Sequence, residues 1–289
     1  MYSRALVLVA LAAAARAQAP PDSDEQTRIL AGIHEAARAY VKNLPDFICL
    51  QTTHRDVTLA PSDALSSVRE SGSRSNLSHI SAPRGQASDT YEEQLTYFDG
   101  QEKYQLLTVN GKRQKPGQSR PPGLTSEGEF ATTLSGIFDQ QSQTQFEWKR
   151  WDTLRGEPVM VFAFRVDQAH SAAKLDVPSS SAIVGYHGLI YAHRDSKIVL
   201  RLTTEAESPK DFPLQNVTHL LDYGQVEIAS QRFVLPLHAE MQTRMSEDFM
   251  RYGREGGNSK QVFLTNRVDF RGYRKYTAES ELKADPEKH

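Results

Sequence analysis

The sequence predicts an α+β protein that is mainly antiparallel β, with one long helix near the N-terminus and one short helix further along. Two observations carry this prediction. One stretch of about twenty residues has the apolar spacing of an amphipathic helix, and about ten later segments alternate apolar and polar residues between Gly, Asn, Asp and Pro turns. Because tight turns join neighbouring strands in antiparallel fashion, the turns support the fold class as much as the strands do.

The first segment has the pattern of a secretory signal peptide. Arg4 provides a positive start, an uncharged apolar run follows from Ala5 to Ala15, and Ala15-Arg16-Ala17 places small residues where signal peptidase cuts. We expect cleavage before Gln18, or alternatively after Ala19, and delivery of a bacterial protein to the periplasm or the medium. No cysteine lies at this site to carry a lipid anchor, and no later segment approaches the roughly 20 apolar residues of a membrane helix.

Composition and charge narrow the function classes. Residues 1–17 contain two arginines and no acid, so their removal changes the formal net charge from −2 to −4. A nucleic-acid-binding protein normally carries a clustered basic excess, which this chain lacks. The hydrophobic content of 38% and the charged content of 24% are typical of a globular protein. We expect one domain over residues 18–279 and a flexible charged tail over residues 280–289.

Two amphipathic helices are predicted. The first runs from Glu25 to Leu44, with capping residues at 22–24 and a stop at Pro45. Its apolar stripe consists of Ile29, Leu30, Ile33, Ala36, Ala37, Tyr40, Val41 and Leu44. The second, over residues 128–138, places Phe130, Leu134, Ile137 and Phe138 at helical spacing, which suggests a short helix packed against the sheet.

Strands occupy most of the remaining chain. The dipeptides Asp99-Gly100 and Asn110-Gly111 favour the tight turns of β-hairpins. A further strand is expected near Val68 and Leu77, followed by a mobile loop, while the prolines of residues 112–125 and the glycines of residues 246–260 indicate loops. The predicted strands are Phe47–Leu59, Thr90–Phe98, Gln101–Val109, Gln145–Leu154, Pro158–Asp167, Ser181–His193, Ile198–Glu205, His219–Ile228, Gln231–Met245 and Gln261–Tyr276.

One strand differs from the others in its pattern. Between Val159 and Val166 both odd and even positions are mostly apolar, so we expect this strand to be covered on both faces and to be central in the sheet.

The candidate catalytic motifs are weak. His34-Glu35 begins like a zinc protease helix, but Arg38 occupies the position of the second histidine and does not ligate zinc. Ser171 and Lys174 have a serine–lysine spacing, yet the companion motifs of penicillin-recognising enzymes are missing and residues 168–178 have the composition of a loop. Cys49, the only cysteine, lies in an apolar run and is expected to be a buried, inert thiol without a disulfide.

Histidines and cations offer alternatives that remain open. His187 and His193 share one strand face, but a metal site needs three or four converging ligands, and we predict no metal and no cofactor. Convergence of both histidines with a carboxylate would instead indicate an extracellular hydrolase. The cations and aromatic residues of 149–151 and 271–276 indicate a solvent-facing strand surface, with contact to anionic lipid headgroups as the alternative.

The order of these elements resembles the LolA-like superfamily of periplasmic lipoprotein carriers. The resemblance includes the N-terminal helix, a strand beginning Phe47-x-x-x-Gln51, the short second helix and the segments 188–191, 195–200 and 234–236, and it covers nearly the whole mature chain. The segments 44–49 and 266–276 also resemble an uncharacterised group of bacterial exported proteins, which carries no functional implication.

The LolA-like resemblance implies a strongly curved open sheet, an incomplete barrel that wraps helices and leaves an apolar cavity for acyl chains or a partner segment. The residues expected to line such a cavity are Phe98, Tyr104, Phe130, Leu134, Phe138, Phe162, Phe164 and Leu189. The leading hypothesis is therefore a non-catalytic carrier of a lipid or lipid-modified partner. The alternatives are an interaction or sensor domain for another envelope protein and a hydrolase with an unrecognised site.

Overall fold

The computed structural model describes residues 19–59, 87–120, 129–177, 180–246, 248–249 and 260–277. The predicted signal peptide, the strand expected near Val68 and Leu77 and the charged tail lie outside these residues.

Two α-helices have both ends within the described residues. Helix α1 (Ser23–Lys42) begins after Asp22, whose carboxylate accepts a hydrogen bond of 2.8 Å from the amide of Glu25, and ends at Asn43. Helix α2 (Thr132–Phe138) has only seven residues. Both predicted helices are confirmed, with ends displaced by a few residues. No helix in the described ranges is long and apolar enough to cross a bilayer.

The strands confirm the predicted α+β, mainly antiparallel class. They are β1 (Phe47–Leu59), β2 (Ala87–Phe98), β3 (Gln101–Val109), β4 (Lys112–Arg113), β5 (Gln145–Leu154), β6 (Glu157–Val166), β7 (Lys174–Val177), β8 (Ser180–Ile183), β9 (Tyr186–His193), β10 (Val199–Ala206), β11 (Gln215–Ile228), β12 (Gln231–Ser246) and β13 (Gln261–Lys275).

Eleven strands form one curved antiparallel sheet in the order β4-β3-β2-β1-β13-β12-β11-β10-β9-β6-β5, and β7 pairs with β8 separately. The described end strands, β4 and β5, do not pair with each other, so the predicted open sheet is confirmed. Asp99, Gly100, Asn110 and Gly111 all have positive φ, as the predicted hairpin turns require.

Three boundaries differ from the sequence expectation. The predicted strand 181–193 is divided into β8 and β9. The stretch 168–178, expected to be a loop, contains the short 3₁₀ helix Gln168–His170 and strand β7. The loop predicted over 112–125 begins with the two-residue strand β4. Such short segments contain too few residues for a period-two pattern to develop.

The main core lies between the two helices and one face of the sheet, called here the inner face. Ile29 and Ile33 of α1 are buried there, together with Phe130, which precedes α2 and has no exposed surface. The Phe130 ring lies 5.1 Å from that of Phe47 and 5.2 Å from that of Phe270, which links the helical layer to β1 and β13.

Strand β6 is buried on both faces, as predicted, but it is not central. It lies next to the end strand β5. Met160 and Phe162 pack into the main core, whereas Val159 and Val161 are covered on the outer face by a second apolar cluster of Leu154, Leu189, Tyr191 and Leu200. The apolar character of both faces therefore reflects this local cluster rather than a position in the middle of the sheet.

Candidate functional site

A groove separates α1 from α2 and the start of β5, and we call it the inter-helix cleft. It has a volume of about 1030 Å³. Its apolar surface is formed by Leu30, Ala31, Ala37, Val41, Ile137, Phe138 and Phe146. Leu30, Val41 and Phe146 are half-buried, so the cleft is an indentation of the surface that continues into the edge of the core.

Stacked rings join the two sides of the inter-helix cleft. The ring of His34 stacks on Phe138 at 5.5 Å, and Phe138 stacks on Phe146 at the same distance. The turn after α2 is held by the Thr144 hydroxyl, which donates to the carbonyl oxygen of Ile137 at 2.6 Å. These contacts connect α1, α2 and β5, so the walls of the cleft are formed before any ligand arrives.

The rim of the inter-helix cleft carries charge. Arg38 and Lys42 line it from α1 and are exposed. On the opposite side, the Asp139 carboxylate accepts a hydrogen bond of 2.7 Å from the amide of Gln141. The cleft thus combines an apolar floor with a polar rim in which cations outnumber carboxylates.

The eight residues predicted to line a cavity lie in five different places. Phe138 lines the inter-helix cleft. Phe98 is 44% exposed at the end of β2, and Tyr104 lies under the guanidinium of Arg120 at 4.1 Å. Leu189 faces the outer side of the sheet. The other four, each at most 3% exposed, belong to the main core: Phe130, Leu134, Phe162 and Phe164.

This distribution has a simple cause. The inner face is filled by its own aromatic and aliphatic side chains, and alternate residues of a strand point to opposite faces. The open space therefore lies beside the helices rather than beneath them. The sequence pattern assigned Leu30 and Val41 to a helix stripe and Phe146 to a strand. No sequence signal indicated that these residues lie at the edge of a cleft.

A buried polar cluster lies on the inner face away from the inter-helix cleft. Arg120 pairs with Glu93 at 2.6 Å, and Glu93 is only 1% exposed. Gln51, His219 and Asn266 border an adjoining void of about 10 Å³, which is close to the minimum for one water molecule. Burial lowers the pKa of His219 to about 4, so its ring is neutral at pH 7.

A second large indentation, which we call the outer trough, crosses the outer face of β5, β6, β9, β10, β11 and β12. It has a volume of about 1010 Å³. Its floor includes Leu189, Tyr191 and Leu220, and its sides carry ion pairs such as Arg201 with Asp222 at 2.7 Å. The trough is a mixed polar and apolar surface with most of its charges already paired.

The histidines that the sequence singled out contact different carboxylates. His187 lies 3.4 Å from Glu207, whereas His193 lies 3.6 Å from Glu157. Among the residues that the structure describes, no three His, Cys, Asp or Glu side chains come together as metal ligands. The proposed convergence of His187, His193 and a shared carboxylate therefore does not appear in this part of the chain.

The remaining candidate nucleophiles have local structural roles. The Ser171 hydroxyl accepts a hydrogen bond from the amide of Ala173, and Lys174 pairs with Asp176 at 2.8 Å. Cys49 is 2% exposed, and burial raises the pKa of its thiol, which disfavours the reactive thiolate. Its surroundings agree with the predicted inert thiol.

Comparison with known proteins gives structural matches alone, because no family model and no curated protein sequence matches the chain. A LolA superfamily protein from Nitrosomonas europaea is 12% identical, covers 89% of this chain and 96% of its own, and has a TM-score of 0.32. An outer membrane lipoprotein-sorting protein domain from Vibrio parahaemolyticus is 13% identical, with coverages of 85% and 92% and a TM-score of 0.34.

A DUF1329 family protein from Desulfovibrio piger also matches, at 9% identity, coverages of 89% and 97% and a TM-score of 0.38. The chain is similar to LolA superfamily proteins. This agrees with the resemblance predicted from the sequence. At these TM-scores and identities the matches carry no functional argument.

Proposed function

We propose that the protein is an exported, non-catalytic binding or carrier protein that holds an acyl chain, free or attached to a lipid-modified partner, in the inter-helix cleft. The observation that carries the proposal is an apolar cleft of about 1030 Å³. Ligand sites are typically concave, mostly apolar and roughly 300–1,000 Å³ in volume. The signal-peptide pattern of residues 1–17 supports delivery to the periplasm or the medium.

The chemistry of the inter-helix cleft fits reversible burial of hydrocarbon. Burying about twelve methylenes contributes roughly 10 kcal/mol at about 0.8 kcal/mol each. Association costs at least about 4 kcal/mol in lost freedom, which leaves about 6 kcal/mol. That value corresponds to a dissociation constant of roughly tens of micromolar, which suits a carrier that must also release its ligand.

The test is displacement of a fluorescent acyl dye from the mature protein by fatty acids of increasing chain length. Each added methylene should raise affinity by up to about fourfold until the inter-helix cleft is filled. Mass spectrometry of the purified protein under native conditions should detect copurified lipid. Failure of every acyl chain to displace the dye, with no lipid in the preparation, would rule out the carrier function.

A pair of matched variants locates the binding site. Ala31→Trp places an indole in the inter-helix cleft, whereas Ala39→Trp adds the same side chain to an exposed position of α1 that does not line it. We expect Ala31→Trp to weaken acyl binding at least about tenfold and Ala39→Trp to leave it unchanged, because only the first occupies the ligand's volume. Equal effects would place the ligand elsewhere.

The outer trough supports a second candidate function, an envelope interaction or sensor domain. Its volume of about 1010 Å³ and its half-buried Leu189, Tyr191 and Leu220 suit an extended protein segment. Cross-linking in cells from a photoreactive residue at Thr203, on the trough floor, tests this candidate. Capture of one defined envelope protein would support it, and cross-links that match those from exposed Asp99 would contradict it.

A further inference from the structure

The wall that α1 contributes to the inter-helix cleft is apolar at the floor and positively charged at the rim. An α-helix turns about 100° per residue. Ala37 therefore belongs to the buried stripe, and Leu30 and Val41 lie next to it. Arg38 and Lys42 follow on the side that faces outward. A ligand in this cleft meets hydrocarbon at its inner end and cations at its outer end.

The two cations are available to a ligand. Within the described ranges, neither Arg38 nor Lys42 has a carboxylate oxygen within 4 Å. Glu35 is exposed beside them on α1 and lies outside the cleft lining, and Asp139 caps the turn after α2. His34 lies between the floor and the cations, with its ring stacked on Phe138.

The spacing of the cations matches a single head group. Arg38 and Lys42 are four residues apart and so lie on the same side of α1, about one turn from each other. Long basic side chains at this spacing can converge on one carboxylate or phosphate while their methylene stems extend the apolar wall.

We infer that the ligand of the inter-helix cleft is an anionic amphiphile, whose carboxylate or phosphate binds Arg38 and Lys42 while its alkyl chain lies on Leu30, Val41 and Phe138. This inference rests on the proposed function and specifies its ligand class. An anionic head group gains attraction at the rim without paying for the separation of an existing ion pair. A neutral or cationic amphiphile of the same length gains only the apolar contacts.

The experiment compares dodecanoate, dodecyl phosphate and dodecanol as competitors of the acyl dye. With two exposed cations, both anions should bind about five- to tenfold more tightly than dodecanol at low ionic strength. The Arg38→Gln/Lys42→Gln double variant should reduce both anions to the affinity of dodecanol. A larger advantage for dodecyl phosphate would assign a phosphate head group, and a larger advantage for dodecanoate a fatty-acid carboxylate.

Arg28→Gln is the matched control, since Arg28 is an exposed cation of α1 that does not line the inter-helix cleft. It should leave all three affinities unchanged. The advantage of the anions should also shrink as salt rises from about 0.05 M to about 0.5 M, because exposed charges are screened.

The outcomes separate the two proposals. If dodecanol binds as tightly as the anions and the double variant changes nothing, the head-group inference is wrong while the carrier function stands. If no amphiphile binds and light scattering shows a dimer, a second copy covers the cleft and both proposals are wrong.

Discussion

One helix contributes to two regions that differ in how they are filled. Ile29 and Ile33 of α1, 6% and 1% exposed, are covered by the inner face of the sheet. Leu30 and Val41 on the neighbouring side line the inter-helix cleft. The difference follows from length, because α1 spans about 30 Å and α2 about 10 Å at 1.5 Å per residue. The shorter helix leaves part of the flank of α1 without a packing partner in the described chain.

The largest expected effect is on the packed region. Phe130→Ala removes a ring that has no exposed surface and contacts Phe47 and Phe270, so it should lower the free energy of unfolding by about 3–5 kcal/mol. Urea denaturation measures the change. Phe98→Ala, at a position 44% exposed, is the control and should cost less than about 1 kcal/mol. Similar losses for both would show that the inner face is not tightly filled.

The second prediction, of intermediate size, concerns how stability depends on pH. It tests whether water reaches the buried polar cluster around His219. The pKa of His219 is about 4 in the folded protein, against about 6.5 when unfolded. As pH falls from about 6.5 to about 4, the unfolded chain gains a proton that the folded chain does not. Stability should therefore fall by up to about 3 kcal/mol over this interval, with no further loss from this group below it.

Removing the imidazole gives the comparison for this pH effect. His219→Gln should abolish that part of the slope in urea denaturation between pH 4 and pH 6.5. If stability depends on pH in the same way in the original protein and in His219→Gln, water reaches the imidazole ring. The buried polar cluster would then be a second open region of the inner face.

The smallest effect on stability is expected in the inter-helix cleft. Val41→Ser changes a half-buried residue of its floor, so unfolding should become easier by less than about 1 kcal/mol. Acyl binding should nevertheless weaken about threefold to tenfold, because the ligand loses an apolar contact. If Val41→Ser lost as much stability as Phe130→Ala and still bound acyl chains normally, Val41 would belong to the core and not to the cleft.

Much of the fold was predictable because its signals are local. Asp99-Gly100 predicted a hairpin from residues that tolerate positive φ, and both residues have it. The apolar period of α1 correctly identified Ile29 and Ile33 as buried. The antiparallel class follows from such turns repeated along the chain.

The candidate site was less predictable because it depends on distant packing. Leu189 and Phe164 were both expected to line one cavity, yet they pack on opposite faces of the sheet. Both faces are apolar around β6, so alternation alone does not reveal which face is covered by helices. Likewise, the end of α2 at Phe138 was predicted, but its start was expected at residue 128 and lies at Thr132. The predicted helix was therefore longer than the observed one, and the uncovered flank of α1 was not expected.

The pairing of β1 with β13 has a consequence for biogenesis. Strands β1 and β13 lie side by side within the sheet, and the ion pair between Asp56 and Arg267 joins residues 211 positions apart. Contacts between such distant residues slow folding, because a long loop must close before they form. A nascent chain emerging from the ribosome therefore has no partner for that edge of β1 until synthesis is nearly complete. For the export proposed above, this delay would keep the polypeptide in the extended state that a secretion channel accepts.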